Sequence, residues 1–217
     1  MSLSTLSAPR PASGPEPAVS SAAPEDMALA LRDLFGARNG SGLTRALERL
    51  VSACAESGAT GEPSPDREAP DGTKISAEIE YAFNRLFVGP GHVPAPPYAS
   101  VYLDADPQLM GRATASMREL FRSLGLAVRE EDNLPEDHLA CELEAWLVLQ
   151  TLARTEDDAL RRNVEEALVW LVDGHMQRWI PPFLSRARAE SMPKALAQAL
   201  NCLEAWLSSA RNALNRA

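Results

Sequence analysis

The chain has 217 residues, 45% of them apolar, which is enough for one compact domain with a buried core. Its formal net charge of −9 at pH 7 argues against a general nucleic-acid binder, because such a protein needs a basic face to displace counterions from phosphates. The composition therefore favours a basic partner.

The ends and the connecting segments are marked by composition. Residues 1–24 are dominated by Ser, Ala, Pro and Gly, which cannot repay their ordering entropy by burial, so we predict a disordered tail there. Residues 25–217 are predicted to form one helical domain, interrupted by a flexible Gly/Pro-rich linker over residues 58–73. Because exchange of helices through such a hinge is a low-cost route to dimers, we expect a monomer or a domain-swapped dimer.

The remaining segments carry apolar residues at helical spacing, and no segment sustains strict alternation. Asp106 and Thr155 are expected to open their helices, and Pro181-Pro182 to break or end one. Only Ser100–Leu103 has the pattern of a short extended piece. The fold class is therefore predicted to be all-α, a single-domain helical bundle. The predicted helices cover residues 27–35, 43–54, 75–88, 106–124, 135–152, 155–180 and 192–214.

The interior of the bundle is predicted from the tryptophans and from one apolar helix. The tryptophans are predicted to lie in the core, and the second half of the 135–152 helix is apolar around most of its circumference, as in a helix buried within a bundle.

The cysteines, Cys54, Cys141 and Cys202, are widely spaced and predict neither a disulfide framework nor a zinc knuckle. No apolar run reaches the roughly 20 residues that span a bilayer. We therefore expect a cytoplasmic, unanchored protein.

A stiff apolar loop follows the helix that is predicted to end at Val88. Gly89-Pro90-Gly91 has no following Lys-Ser/Thr, so we discount a phosphate-binding loop. Pro94-Ala-Pro-Pro-Tyr98 offers an extended apolar surface that loses little entropy on binding, which suits a peptide groove. Leu86 and Phe87 stand at the helix exit, where one of them can face this loop, although core packing explains most of that helix face.

An acidic window over residues 129–144 carries −6 of the net charge. The same window is equally consistent with a solvent-exposed helix start, because carboxylates are stabilised at helix N-termini. Asp137 and His138 are predicted in the first helical turn, where Asp137 would meet a cationic guest. His138 and Glu142 share a face at i,i+4, so a metal pair or an acid/base dyad is an alternative, as is a capping carboxylate beside a hydrogen-bonded histidine. The window contains Glu130, Glu131, Asp132, Glu136, Asp137, Glu142 and Glu144 against Arg129.

These segments resemble the TorD/DmsD family of redox-enzyme maturation chaperones, which are related more distantly to NarJ. The resemblance rests on Leu86-Phe87-x-Gly-Pro-Gly91, on Pro97-Tyr98-x-Ser-Val-Tyr102 and on Pro135-x-Asp137-His138-x-x-x-Glu142-Leu143, in this order. The stretch from His175 to Trp179 also looks like the His-x-x-x-Trp turn of that family.

The resemblance implies an all-helical cytoplasmic chaperone that binds the twin-arginine signal peptide of a molybdenum enzyme's catalytic subunit until its cofactor is inserted. It implies no catalysis and no cofactor of its own. An acidic patch beside an apolar groove is the physical complement of a basic pair followed by an apolar segment. The signal-peptide-binding residues would be Leu86, Phe87, Pro97, Tyr98, Asp137, His138 and Glu142.

Two alternatives from other classes stay open at this point. One is a metal-dependent hydrolase that uses His138 and Glu142. The other is a helical assembly adaptor whose acidic face docks on a folded partner.

Overall fold

The computed structural model describes residues 22–56, 72–105, 110–127 and 134–216. Within these ranges the chain is helical and has no β-strand, which confirms the all-α prediction. Most of the predicted tail and most of the predicted linker lie outside the described residues. The helices are α1 Ala22–Phe35, α2 Gly40–Glu56, α3 Gly72–Phe83, α4 Ser100–Leu103, α5 Arg112–Ser123, α6 Leu139–Leu152, α7 Asp158–Val169, α8 Gln177–Arg188 and α9 Lys194–Leu214, with π-helical segments π1 Asn84–Val88 and π2 Trp170–Met176.

The centre of the bundle is formed by α1, which packs against α2, α6 and α9. In the second half of α6, which was predicted to lie within the bundle, Ala145, Trp146 and Leu149 are buried and the other apolar residues are half-buried. Trp146 meets Trp206 of α9 edge to face with ring centroids 5.2 Å apart. None of the helices in the described ranges is long and apolar enough to cross a membrane.

An aromatic cluster joins π1 to α1, α4 and α8. The Phe87 ring lies 5.6 Å from Phe35 and 5.8 Å from Phe183, measured between centroids. Tyr102 of α4 stacks on Trp179 at 5.8 Å. Edge-to-face and stacked pairs of this kind stabilise beyond simple burial, so the cluster fixes the position of the chain that leaves π1.

Four predicted details are wrong. Ser100–Leu103 is the single helical turn α4, not an extended piece. Asp157, not Thr155, caps α7 by accepting from the backbone N–H groups of Ala159 and Leu160. Pro181 and Pro182 lie inside α8 with their side chains exposed, so the helix continues through them to Arg188. Trp170, at the start of π2, is 38% exposed instead of buried.

The helix predicted over 106–124 begins later, at Arg112. Met110 has a φ of 68°, which interrupts any earlier helix, and residues 106–109 lie outside the described part of the chain. Asp104 caps α5 from a separate segment, because its Oδ1 accepts from the Ala113 N–H at 3.3 Å. A Cβ at Gly111 would stand 1.9 Å from Asp104 Oδ2, so a larger residue there would displace the Asp104 carboxylate that caps α5.

The prediction that the cysteines form no disulfide is also wrong. Cys54 of α2 and Cys202 of α9 are joined, with their Cα atoms 6.5 Å apart and 148 residues between them in sequence. Sequence spacing gave no signal because the pairing depends on how the second and last helices pack.

Candidate functional site

A backbone clamp joins the apolar loop to the segment before α6. The Ala99 N–H donates to the Asp137 carbonyl at 3.0 Å, and the Leu139 N–H donates to the Pro97 carbonyl at 2.9 Å. These bonds form an isolated antiparallel bridge between Tyr98 and His138. The two segments that the sequence singled out therefore meet directly in space.

This clamp explains why α6 begins at Leu139 and not near Pro135. His138 is extended, with φ −73° and ψ 139°, and serves as the N-cap, so Asp137 precedes the helix instead of lying in its first turn. The backbone groups of this segment are used for pairing with the loop, which helical geometry would not allow.

Asp137 is fully buried and holds three segments together. Its Oδ2 accepts from the Ser100 N–H and its Oδ1 accepts from the Thr114 hydroxyl, each at 2.8 Å. The carboxylate thus fastens α4 and α5 to the start of α6. Both oxygens are satisfied by neutral donors of the chain itself, so a cationic guest is not required to compensate the buried carboxylate.

His138 is buried and faces Tyr98. Its Nδ1 accepts from the Ala140 N–H at 3.2 Å, and its ring lies 4.8 Å from the Tyr98 ring in an edge-to-face contact. Burial lowers the pKa of His138 to about 4, against the opposing influence of Asp137. The imidazole is therefore neutral at pH 7, which suits its role as an N-cap acceptor.

Glu142 forms a second buried clamp, between α6 and the π2–α8 junction. Its Oε1 lies 2.7 Å from His175 Nε2, and its Oε2 accepts from Trp179 Nε1 at 2.9 Å. Burial raises the pKa of the Glu142 carboxyl. Burial by itself would lower the pKa of His175, but the neighbouring carboxylate outweighs it and the net direction is upward. Both groups therefore bind a proton more readily than the free side chains do.

The metal and dyad alternatives for His138 and Glu142 find no support in this geometry. His138 directs Nδ1 to a backbone N–H, and both oxygens of Glu142 are taken by His175 and Trp179. Within the described residues, no group of three His, Cys, Asp or Glu side chains is placed to hold a metal ion.

The predicted apolar wall lies mostly beneath the surface. Leu86, Phe87 and Pro97 are buried, and Tyr98 is half-buried. The Ala95 N–H donates to the Leu86 carbonyl at 3.1 Å, so the loop folds back on π1. The neighbouring surface is provided instead by the loop residues 89–94, which are exposed or half-buried, and by Val88. That all seven predicted residues contact a signal peptide stays a prediction.

Among the described residues of the acidic window, two carboxylates reach the surface, and each is paired with an arginine. Arg118 donates to both oxygens of Glu136 at 2.7 and 2.9 Å, which lowers the pKa of that carboxyl. Arg32 donates to Glu144 at 2.6 Å. Glu130, Glu131 and Asp132 lie outside the described residues.

A groove of about 660 Å³ borders the same region, between α1, α2, α5 and α6. Its floor includes Phe121 and Ala140, but none of the seven predicted site residues lines it. Among the described residues, more arginines than carboxylates line it, so this part of the molecule does not form an acidic groove there. Its charged lining residues are Arg32, Asp33, Arg38, Arg45, Arg49 and Glu144.

Sequence reasoning missed three side-chain partners of the buried carboxylates. Thr114 stands on a helix with no motif around it, so only the fold reveals that it donates to Asp137. His175 and Trp179 did carry a signal, the i,i+4 spacing that puts both on one face, but their shared partner Glu142 lies on another helix.

The chain is similar to proteins of one family. The family model for the nitrate reductase delta subunit matches residues 40–185. The chain is 32% identical over 114 residues to the Tat proofreading chaperone DmsD of Salmonella typhi, which covers 52% of this chain and 50% of that protein. It is 30% identical over 128 residues to the chaperone protein TorD of Psychrobacter sp., covering 58% and 53%, and 35% identical over 113 residues to TorD of Vibrio cholerae, covering 51% of each. The chain spans about half the length of the curated relatives it matches.

Proposed function

Because the chain belongs to the nitrate reductase delta subunit family, with the TorD and DmsD chaperones among its relatives, we propose that it is a maturation chaperone for a molybdoenzyme. Its partner is the twin-arginine signal peptide of the catalytic subunit, which it binds in the cytoplasm before export. It performs no catalysis, carries no cofactor and acts as a monomer or a domain-swapped dimer. The observation that supports this proposal most strongly is the pair of clamps described above, which brings the residues of both motif segments into one place.

The seven predicted residues divide into one that can contact the peptide and others that support the peptide-binding surface. Tyr98 is the member that reaches the surface, beside the exposed edge of the loop at Val88 and residues 89–94. Leu86, Phe87 and Pro97 lie beneath and hold this surface in shape. Because the apolar platform is already ordered, an extended apolar segment of the peptide binds it with little further loss of entropy.

The buried polar residues among the seven influence the peptide-binding surface indirectly, because they fix the backbone that forms it. Asp137 and His138 set the path of the loop by the clamp at Tyr98, and Glu142 fixes α6 against α8. They are therefore positioning residues for the peptide surface. Their burial removes them from direct contact with a basic pair in this conformation.

Glu136 and Glu144 are the described carboxylates that can receive the two arginines. Each already binds an arginine of the chain in an exposed or partly exposed pair. Such pairs contribute only about 0–1 kcal/mol, so a guanidinium from the peptide replaces the internal arginine at small cost. Bidentate geometry of the kind seen between Arg118 and Glu136 would then favour arginine over lysine in the peptide.

Binding of a synthetic twin-arginine signal peptide to the purified full chain tests the function. We expect saturable binding by calorimetry, weakened about tenfold when both arginines are replaced by glutamine, because each solvent-exposed ion pair contributes only about 0–1 kcal/mol. Tyr98→Ala should weaken binding by a similar factor, whereas the matched exposed change Leu160→Ala on α7 should leave it unchanged.

Three outcomes would contradict this function. Equal binding of the two peptides would remove twin-arginine recognition. Binding to the mature catalytic subunit without its leader, and not to the peptide, would favour a helical assembly adaptor. Stoichiometric zinc or iron in protein purified without chelators, together with hydrolytic activity, would favour the metal-dependent enzyme.

A further inference from the structure

Cys54 and Cys202 meet in the interior of the bundle. Their side chains are 0% and 5% exposed, in α2 and α9. The Cα separation of 6.5 Å lies within the range that a disulfide bridges without backbone movement. The third cysteine, Cys141, lies in α6 and retains its thiol.

In sequence, the segment between the two cysteines includes the whole candidate site. The two cysteines are separated by 148 residues, a span that contains both motif segments and the His175–Trp179 turn. In space, α2 packs against α3, which continues into π1, and α9 packs against π2 and α8. A covalent bond between α2 and α9 therefore fastens the elements that border the two clamps.

We infer that Cys54 and Cys202 form a reversible, redox-responsive cross-link that locks α2 to α9 when oxidised. This step rests on the cytoplasmic location proposed above: disulfides inside reducing compartments are typically transient and redox-sensing, which fits one bonded pair among three cysteines. The fold does not depend on the bond, because each cysteine sits among packed apolar residues and a reduced thiol behaves there as a small hydrophobic side chain. Oxidation thus adds a constraint to an already complete core.

Glutathione disulfide can serve as the oxidant. The thiolate of Cys202, the slightly more exposed of the two, attacks one sulfur of glutathione disulfide and releases one glutathione thiolate. The Cys54 thiolate then attacks the protein sulfur of this mixed disulfide and releases the second glutathione. Two protein thiols are oxidised, one glutathione disulfide is reduced to two glutathione thiols, and the two protons pass to the released thiolates. Because both sulfurs are buried, the exchange proceeds through local opening of the α2–α9 contact.

The expected consequence is a large gain in thermal stability. A cross-link that closes a long loop removes more conformational freedom from the unfolded chain than one that closes a short loop. For a chain of this size we expect the oxidised protein to melt about 10 °C above the reduced protein. Hydrogen exchange in π1 and π2 should slow on oxidation, because α2 and α9 can no longer separate.

The test uses the full chain equilibrated with defined ratios of reduced and oxidised glutathione. After the exchange is stopped by alkylation, intact mass and peptide mapping report which thiols remain, and calorimetry reports the melting temperature. We expect a monomer with a Cys54–Cys202 linked peptide, an alkylated Cys141 after denaturation, and the 10 °C rise. Cys141→Ser should keep both the link and the rise, and Cys54→Ala and Cys202→Ala should each lose both.

The wild-type protein suffices to overturn the inference, even if a cysteine variant fails to fold. Cys54 and Cys202 thiols that both remain alkylatable in oxidising buffer would exclude the link. So would a persistent mixed disulfide with glutathione, a bond that involves Cys141, or a bond between two copies of the chain. Equal melting temperatures of the oxidised and reduced forms would exclude its stabilising role.

Discussion

The acidic window contains two pairs of carboxylates with opposite environments. Asp137 and Glu142 are 0% exposed and bind donors from α4, α5, π2 and α8. Glu136 and Glu144, their close neighbours in sequence, reach the surface and bind arginines. One pair organises the interior, and the other remains open to exchange with solvent or a partner.

The contrast shows that an acidic stretch of sequence is not the same as an acidic surface. A buried carboxylate loses its hydration, so it is tolerated only where the chain supplies donors that replace water. An exposed carboxylate stays hydrated and gains little from an ion pair. We therefore expect the inner pair to govern stability and the outer pair to influence recognition.

Replacing Asp137 should have the largest effect. Asp137→Ala leaves the Ser100 N–H and the Thr114 hydroxyl buried without an acceptor, so we expect a loss of about 3–5 kcal/mol in the free energy of unfolding. Urea denaturation measures it, with Glu136→Ala as the adjacent control, which should cost less than about 1 kcal/mol. Similar losses for both variants would erase the distinction between inner and outer carboxylates.

Glu142→Gln should have the next largest effect. The amide keeps the size of the side chain but removes the carboxylate that pairs with His175, so we expect a loss of about 2–3 kcal/mol. Its control is Glu144→Gln on the same helix, for which we expect a change below about 1 kcal/mol. An effect confined to peptide affinity, with unchanged stability, would contradict a role for Glu142 in fastening α6 to α8.

His138 should give stability a specific pH dependence. The pKa of His138 in the folded protein, about 4, lies below the usual 6.5, so between these values the unfolded chain binds more protons and stability falls as the pH falls. From pH 6.5 to pH 5.5 this contributes a loss of about 1 kcal/mol. His138→Asn keeps an N-cap acceptor but does not titrate, so the variant should lose less stability over this interval. Parallel curves for the two proteins would show that His138 is not buried in its neutral form.

The outer pair should produce the smallest effect, on affinity alone. Glu136→Gln and Glu144→Gln are each expected to weaken binding of a twin-arginine peptide about two- to fivefold at low salt, and the difference should shrink at high salt. Glu166→Gln on the exposed face of α7 is the matched control and should leave the affinity unchanged. Weakening by Glu166→Gln as well would indicate a nonspecific effect of net charge.

Periodicity predicted the helical class and the packing of the α6 tryptophan in the core, because both depend on local apolar patterns. The start of α6 could not be predicted in this way, since the pairing of Pro97 and Ala99 with residues 137–139 decides it. Trp170 was misplaced because the start of π2 leaves it partly at the surface. The motif residues were found, but their orientation was not, because burial of Asp137 depends on donors from Ser100 and Thr114 on other helices.

The central claim is that the surface of the loop binds the signal peptide, and photo-cross-linking tests this claim most directly. A twin-arginine signal peptide with a benzophenone side chain in its apolar segment, bound to the full chain and irradiated, reports its neighbours by mass spectrometry. We predict labelled residues within 88–103, with Tyr98 among them, and competition by unlabelled peptide. Competed labelling confined to the arginine-lined groove at Arg45 and Arg49, or to α7, would contradict the account.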